Sequence, residues 1–143
     1  MLVRQISVFL ENKSGRLAEV TKALSSNQID IRALYIADTA EYGILRMIVD
    51  KPDQALKLLT GAGFTVSSTN VIAITIADEP GTLDHALEIL SENKISVEYL
   101  YAFVGRASTD AIVVIRVEEP DIAVEVLSKA GIRIVKAKEI YGL

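Results

Sequence analysis

Apolar residues along this chain follow two alternating periods, and the whole series occurs twice. Residues 3–11 alternate with the two-residue period of a half-buried strand, and within 16–26 Leu17, Val20 and Leu24 recur at helical spacing. Residues 31–37 and 43–49 read as strands, 53–60 as a helix with Ala55, Leu56 and Leu59 inward, and the chain from Phe64 onward as a strand. The order is βαββαβ.

Sliding the sequence by 66 positions places Ile6 on Ile72, Val8 on Ile74, Gly15 on Gly81, Leu24 on Leu90, Asn27 on Asn93 and Tyr35 on Tyr101. The register then becomes 68, placing Ile44 on Ile112, Val49 on Val117, Pro52 and Asp53 on Pro120 and Asp121, Leu59 on Leu127 and Gly63 on Gly131. Two residues have been added to the second copy around 105–110. Pro52 and Pro120 sit where a helix begins, each followed by an acidic residue that suits the positive end of the helix dipole, and Gly63 and Gly131 close those helices.

A βαββαβ unit predicts a four-stranded antiparallel sheet with two helices on one face, the ferredoxin-like arrangement. The fold class is therefore α+β, with one unit at 1–69 and a second at 70–143, and the halves pair into a larger assembly. No linker separates them. The closing strand of the first copy overlaps the opening strand of the second, which predicts a rigid pair with a bend at Ser67, Ser68, Thr69 and Asn70. Residues 43–49 and 111–117 are apolar on both faces, so something is expected to cover the second face of each sheet: the other copy, a second chain, or both.

Composition narrows the function. Hydrophobic residues make up 50% and charged residues 24%, which leaves surplus apolar surface to bury. Fifteen Lys and Arg against nineteen Asp and Glu give a net charge of −4 with no basic cluster, which disfavours nucleic acid and anionic membrane as partners. The absence of Cys excludes thiol catalysis, disulfides and cysteine metal sites. The N-terminus runs straight into strand alternation without an export signal, and no apolar run is long enough to cross a bilayer, so a cytoplasmic location is expected.

The informative loop is Asp78-Glu79-Pro80-Gly81-Thr82-Leu83, between the apolar run 71–77 and a helix carrying Leu83, Ala86, Leu87 and Leu90 inward. Pro80 suits the first position of a helix, and Gly81 has no Cβ to hold a small molecule off the backbone. Free helix-terminal N–H groups beside a carboxylate suit a zwitterion. Taken alone, the same hexapeptide also describes an ordinary strand-to-helix turn.

An apolar strand, Asp-x-Pro-Gly-x-Leu, and an amphipathic helix ending in Asn93-Lys94-Ile95-Ser96-Val97 together resemble the ACT domain. The first copy has a looser form, Asn12-Lys13-Ser14-Gly15-Arg16-Leu17 with Asn27-Gln28-Ile29-Asp30-Ile31. The resemblance covers essentially the whole chain and implies a free-standing, non-catalytic regulatory protein. It would bind a free amino acid at the strand-to-helix loops, between paired domains, and assemble as a homodimer. It implies ligand contacts at Asn12, Ser14, Gly15, Arg16 and Leu17, at Asp78, Pro80, Gly81, Thr82 and Leu83, and at Asp30 and Ser96 just before the second strands. In this scheme loop N–H groups with Asn12 or Thr82 hold a carboxylate and Asp30 or Asp78 an ammonium, while Leu17, Tyr35, Leu83 and Tyr101 meet the ligand side chain. The first copy departs from the motif at Ser14 and Asn12, so the two loops are chemically unequal.

Other candidates have plainer readings. His85, the only His, lies off the inward stripe and reads as a solvated helix residue; no nucleophile elbow or metal set accompanies it, and neither enzyme activity nor a cofactor is expected. Tyr99, Tyr101 and Phe103 alternate on one strand face, as packing aromatics do. Arg46 and Arg116 in apolar strands read as interfacial ion pairs. An RNA-recognition module would need aromatics in its third strand, a metal carrier two Cys, and an acyl-phosphate hydrolase a fixed Arg that Thr82 replaces in the second copy. The main competing reading is a regulatory subunit that docks on a separate enzyme of amino-acid metabolism, with ligand binding secondary.

Overall fold

The computed structural model describes residues 2–38, 41–103 and 109–143. They form β1 (Val3–Glu11), α1 (Arg16–Ser26), β2 (Ile31–Asp38), β3 (Tyr42–Val49), α2 (Pro52–Gly61), β4 (Thr65–Ala77), α3 (Thr82–Glu92), β5 (Val97–Ala102), β6 (Asp110–Val117), α4 (Pro120–Lys129), β7 (Arg133–Ile134) and α5 (Ala137–Tyr141). Most of the added segment around 105–110 lies outside the described residues.

Two compact units result. The first comprises Arg4–Thr69 with Tyr141–Leu143. Its sheet runs β2-β3-β1 and then the early part of β4, with Ile6 opposite Met47 and Leu34 opposite Met47 in antiparallel register. The second comprises Asn70–Ile140 with residues 2–3. Its sheet runs β7-β4-β6-β5, with Ile74 opposite both Val113 and Ile134. Each is the ferredoxin-like order expected of βαββαβ.

The repeat in the sequence is a repeat of cores. Ile6, Val8, Val20, Leu24, Leu45, Met47, Val49, Ala55 and Leu59 are buried between sheet and helices in the first unit. Their counterparts Ile72, Ile74, Ala86, Leu90, Val113, Ile115, Val117, Ala123 and Leu127 are buried alike in the second. Each of the larger side chains contributes roughly 1.5–3 kcal/mol relative to exposure. Helix ends repeat as well: Asn27 and Asn93 follow α1 and α3, and their side-chain amides donate to Ala23 O at 2.9 Å and Ile89 O at 2.8 Å. The next residues, Gln28 and Lys94, take φ 55° and 58°, letting Ile29 and Ile95 donate back to Leu24 O and Leu90 O.

Two expectations are corrected. The chain does not leave the strand conformation at Ser67, Ser68, Thr69 and Asn70; these residues are internal to β4, which is one strand of 13 residues. The closing strand of the second copy is cut to two residues, because beyond Val135 the Glu139 carboxylate accepts the Lys136 N–H at 2.8 Å and opens the short helix α5, a capping arrangement that the periodicity did not reveal. Within the single chain, the second sheet faces carry fully buried Ile48 and Val114 together with Phe9 and Tyr42, which are 44% and 43% exposed.

Candidate functional site

The loop leaving β4 is tied by its backbone. Asp78 N–H donates to Thr109 O at 2.9 Å and Glu79 N–H to Ala77 O at 2.9 Å, turning the chain sharply off the strand. Gly81 adopts φ 94°, a left-handed conformation that glycine takes without steric cost, and caps α3 by accepting the His85 N–H at 3.0 Å. A residue with that φ cannot lie inside a helix, so α3 starts at Thr82 and Pro80 belongs to the turn, two residues earlier than a helix-opening proline. The N–H groups of Leu83 and Asp84, in the first turn of α3, have no acceptor within the helix. The Thr82 hydroxyl lies 2.6 Å from Ala77 O and 3.0 Å from Glu79 O, so its proton points into the loop and not outward to a ligand anion.

Because β7 pairs antiparallel with β4, the turn entering β7 arrives beside the loop leaving β4. Pro80, Gly81, Thr82 and His85 from one side and Gly131, Ile132 and Arg133 from the other line an open cavity of about 610 Å³. Thr75, Ile76, Ala77 and Asp110 complete its wall. The Arg133 guanidinium donates to Thr75 Oγ1 at 3.3 Å and pairs with the Glu139 carboxylate, yet its side chain remains 61% exposed. The Glu139 carboxyl is held below the usual carboxylate range, chiefly by the Lys136 N–H, with the Arg133 and Lys136 charges assisting against desolvation. The cavity thus combines the amino end of α3 at Gly81 and Thr82, a cation and the Asp110 carboxylate within one unit.

The loop leaving β1 repeats the backbone and changes the side chains. Asn12 N–H donates to Glu41 O at 3.1 Å, Lys13 N–H to Glu11 O at 2.8 Å, and Glu19 N–H to Gly15 O at 3.0 Å, with Gly15 at φ 87°. Arg16 lays its guanidinium over the Phe64 ring, 4.9 Å from the centroid, and pairs with Glu19 at 2.8 Å.

Of the residues expected at a ligand, Pro80, Gly81 and Thr82 line the cavity, while Asp78, Leu83, Ser96 and Tyr101 do not. Ser96 and Asp30 precede β5 and β2, whose starts pair near Val117 and Val49, at the far end of each sheet from the loops. Eight residues of strand at ~3.3 Å each separate those ends, so no single unit joins Asp30 to Asn12 or Ser96 to Gly81. Asp30 instead pairs with Arg32. Ser14 and Leu17 are exposed, Leu17 by 38%. Tyr35 lies midway along the edge strand β2, its hydroxyl accepting from Arg46 at 2.8 Å, and Tyr101 is buried at 7% exposure. Arg116 pairs with Glu98 at 3.2 Å inside its own sheet, not across an interface.

His85, Asp110, Gly131, Ile132 and Arg133 are the cavity residues that pattern reading passed over. His85 is exposed as expected, but it faces this cavity. Among the described residues no three His, Asp or Glu side chains gather to hold a metal, and no helix is long and apolar enough to cross a membrane.

Two βαββαβ units, each with a glycine-capped loop between its first strand and first helix, define a tandem pair of ferredoxin-like domains. The chain belongs to the ACT domain pair family, whose model matches residues 1–143. It is 42% identical to a Bacteroides thetaiotaomicron protein of known crystal structure, with a TM-score of 0.94 over 100% of this chain and 98% of that one. The fold is also that of the regulatory subunit of aspartate kinase from Thermus thermophilus (17% identity, TM-score 0.67, 90% of this chain and 93% of that one). The corresponding Thermus flavus subunit is similar (16%, 0.62, 92% and 94%). No curated protein sequence matches significantly.

Proposed function

We propose that this chain is a non-catalytic regulatory protein that binds a free amino acid in the second-unit cavity and reports its level. The observation carrying the reading is one cavity lined by both Asp110 and Arg133 at the amino end of α3. A carboxylate is accommodated by Arg133 beside the positive amino end of α3 at Gly81 and Thr82, and an ammonium by Asp110, through charge-assisted hydrogen bonds. This replaces Thr82 and Asp78 in those roles, since the Thr82 proton is committed inward and Asp78 is outside the cavity. The side chain of the ligand extends toward Ile132 and His85.

Family membership supports regulation without catalysis, and the proposal includes a homodimer in the cytoplasm, in which a second copy brings residues such as Asp30 and Ser96 to a loop. The exposed Phe9 and Tyr42 rings, 4.9 Å apart, favour a second activity compatible with the first: docking on a separate enzyme of amino-acid metabolism.

A thermal-shift screen of the twenty amino acids tests ligand binding. A ligand at 100 times its Kd stabilises the folded state by about 2.7 kcal/mol, and Asp110→Asn and Arg133→Ala each remove the shift. A flat screen, or shifts indifferent to both substitutions, rejects the reading.

A further inference from the structure

Position by position, the first unit holds other residues around its copy of the cavity. By the 66- and 68-residue registers, Thr82 corresponds to Arg16, His85 to Glu19, Ile132 to Phe64, Arg133 to Thr65, Asp110 to Tyr42 and Thr75 to Phe9.

We infer that the first unit closes this site with its own Arg16, so that each chain carries one amino-acid site and not two; the inference rests on the function proposed above. A guanidinium carbon 4.9 Å from the Phe64 centroid is in contact with the ring, so the side chain from the α1 start bridges to the turn before β4 and fills the space that Thr82 and Ile132 leave open. The Nε of Arg16 is buried without a hydrogen-bond partner, which places that part of the side chain in a slot instead of in solvent. Glu19, held at 2.8 Å by Arg16, adds a negative charge to the first turn of α1, which disfavours a ligand carboxylate there. The ammonium partner is missing too, because Tyr42 stands for Asp110 and its ring packs on Phe9 at 4.9 Å. Identical backbone turns therefore serve opposite purposes: one receives a ligand, and the other is filled by a side chain of the chain itself.

The test titrates each of the twenty proteinogenic amino acids singly into the full chain, following backbone amide signals by nuclear magnetic resonance and stoichiometry by calorimetry. The expected result is that an amino acid that binds moves Gly81, Gly131 and the His85 ring, leaves Gly15 and Gly63 in place, and saturates at one per chain. Saturation at two per chain with Gly15 moving overturns the inference while leaving the proposed function intact; no binding at either loop overturns both. Transplanting the plug into the second unit as Thr82→Arg/His85→Glu/Ile132→Phe, a combination the same fold already holds in the first, weakens binding by about 100-fold, the scale of disrupting a paired charged contact. Unchanged binding in that variant, with its fold verified by its amide spectrum, overturns the plug.

Discussion

The loops after β1 and after β4 share one backbone and two chemistries. Asn12 and Asp78 donate across to Glu41 and Thr109, Lys13 and Glu79 fold back on Glu11 and Ala77, and Glu19 and His85 close onto left-handed glycines. The first loop then spends its side chains on itself, through Arg16, Glu19 and Phe64. The second places Arg133, itself paired with Glu139, together with Asp110 and His85 around an open cavity. Backbone hydrogen bonds and core volume fix the turn, while five or six outward side chains set its surroundings, and the proposed site and plug differ in those alone. Fold and function are separable here because they are carried by different atoms.

The largest effects should respect the likeness of the two units. Leu24 and Leu90 hold the same place under the first helix of each unit, at 1% and 0% exposure. Leu24→Ala and Leu90→Ala are each expected to cost about 2–5 kcal/mol, from lost burial and the cavity left behind. Urea denaturation followed by circular dichroism measures both. If one substitution costs several times the other, the cores are not equivalent and the shared pattern misleads.

Intermediate effects should separate stability from binding. An added Cβ at Gly15 or Gly81 meets no atom within 4 Å, so only the positive φ opposes a side chain. Gly15→Val and Gly81→Val are therefore expected to destabilise by similar amounts, about 1–2 kcal/mol each for an L residue forced into the left-handed region. Only Gly81→Val should also abolish amino-acid binding, since only its turn borders the cavity. Equal loss of binding in the two variants, by calorimetry, would erase the functional distinction between the loops.

These contrasts mark what the sequence makes legible. Core and element order were readable because Leu24 on Leu90 or Val49 on Val117 is a periodic statement about burial, and burial dominates folding. The start of α3 was misplaced at Pro80 because a proline suits a helix start on composition alone, whereas the φ of Gly81 is a tertiary outcome. The cavity residues were missed for a different reason. Arg133 and Asp110 follow no period, and they reach Gly81 only because βαββαβ topology lays the last strand, with Arg133, and the third strand, with Asp110, on either side of the first. That adjacency was implicit in the predicted fold, and tracing it from Gly131 would have brought Arg133 to the loop. The stacking of Arg16 on Phe64, on which the proposed plug rests, was not legible: the motif made Arg16 a ligand contact, and no pattern in the sequence brings it to that ring.

The smallest expected effect lies in a pair that the first loop has and the second lacks. Lys13 Nζ lies 2.9 Å from Glu11 Oε2, and the positions corresponding to these residues are Glu79 and Ala77, which cannot form such a pair. The Lys13 hydrogen bond and charge hold the Glu11 carboxyl below the usual carboxylate range, with Arg16 adding slightly and partial desolvation opposing. A carboxyl lowered on folding contributes stability that is present above its unfolded value and is lost as pH falls through its folded value, so the pair favours the folded state at neutral pH. Both groups are solvent-exposed and screened, which keeps that contribution within the range where surface pairs are hard to detect by denaturation. The titration itself is the sensitive readout: Lys13→Ala should return the Glu11 carboxyl toward its ordinary value in a carbon-detected pH titration, with the α1 turn unchanged. A carboxyl that does not move would assign the lowering to Arg16, and with it a field from the plugged loop that reaches beyond Glu19.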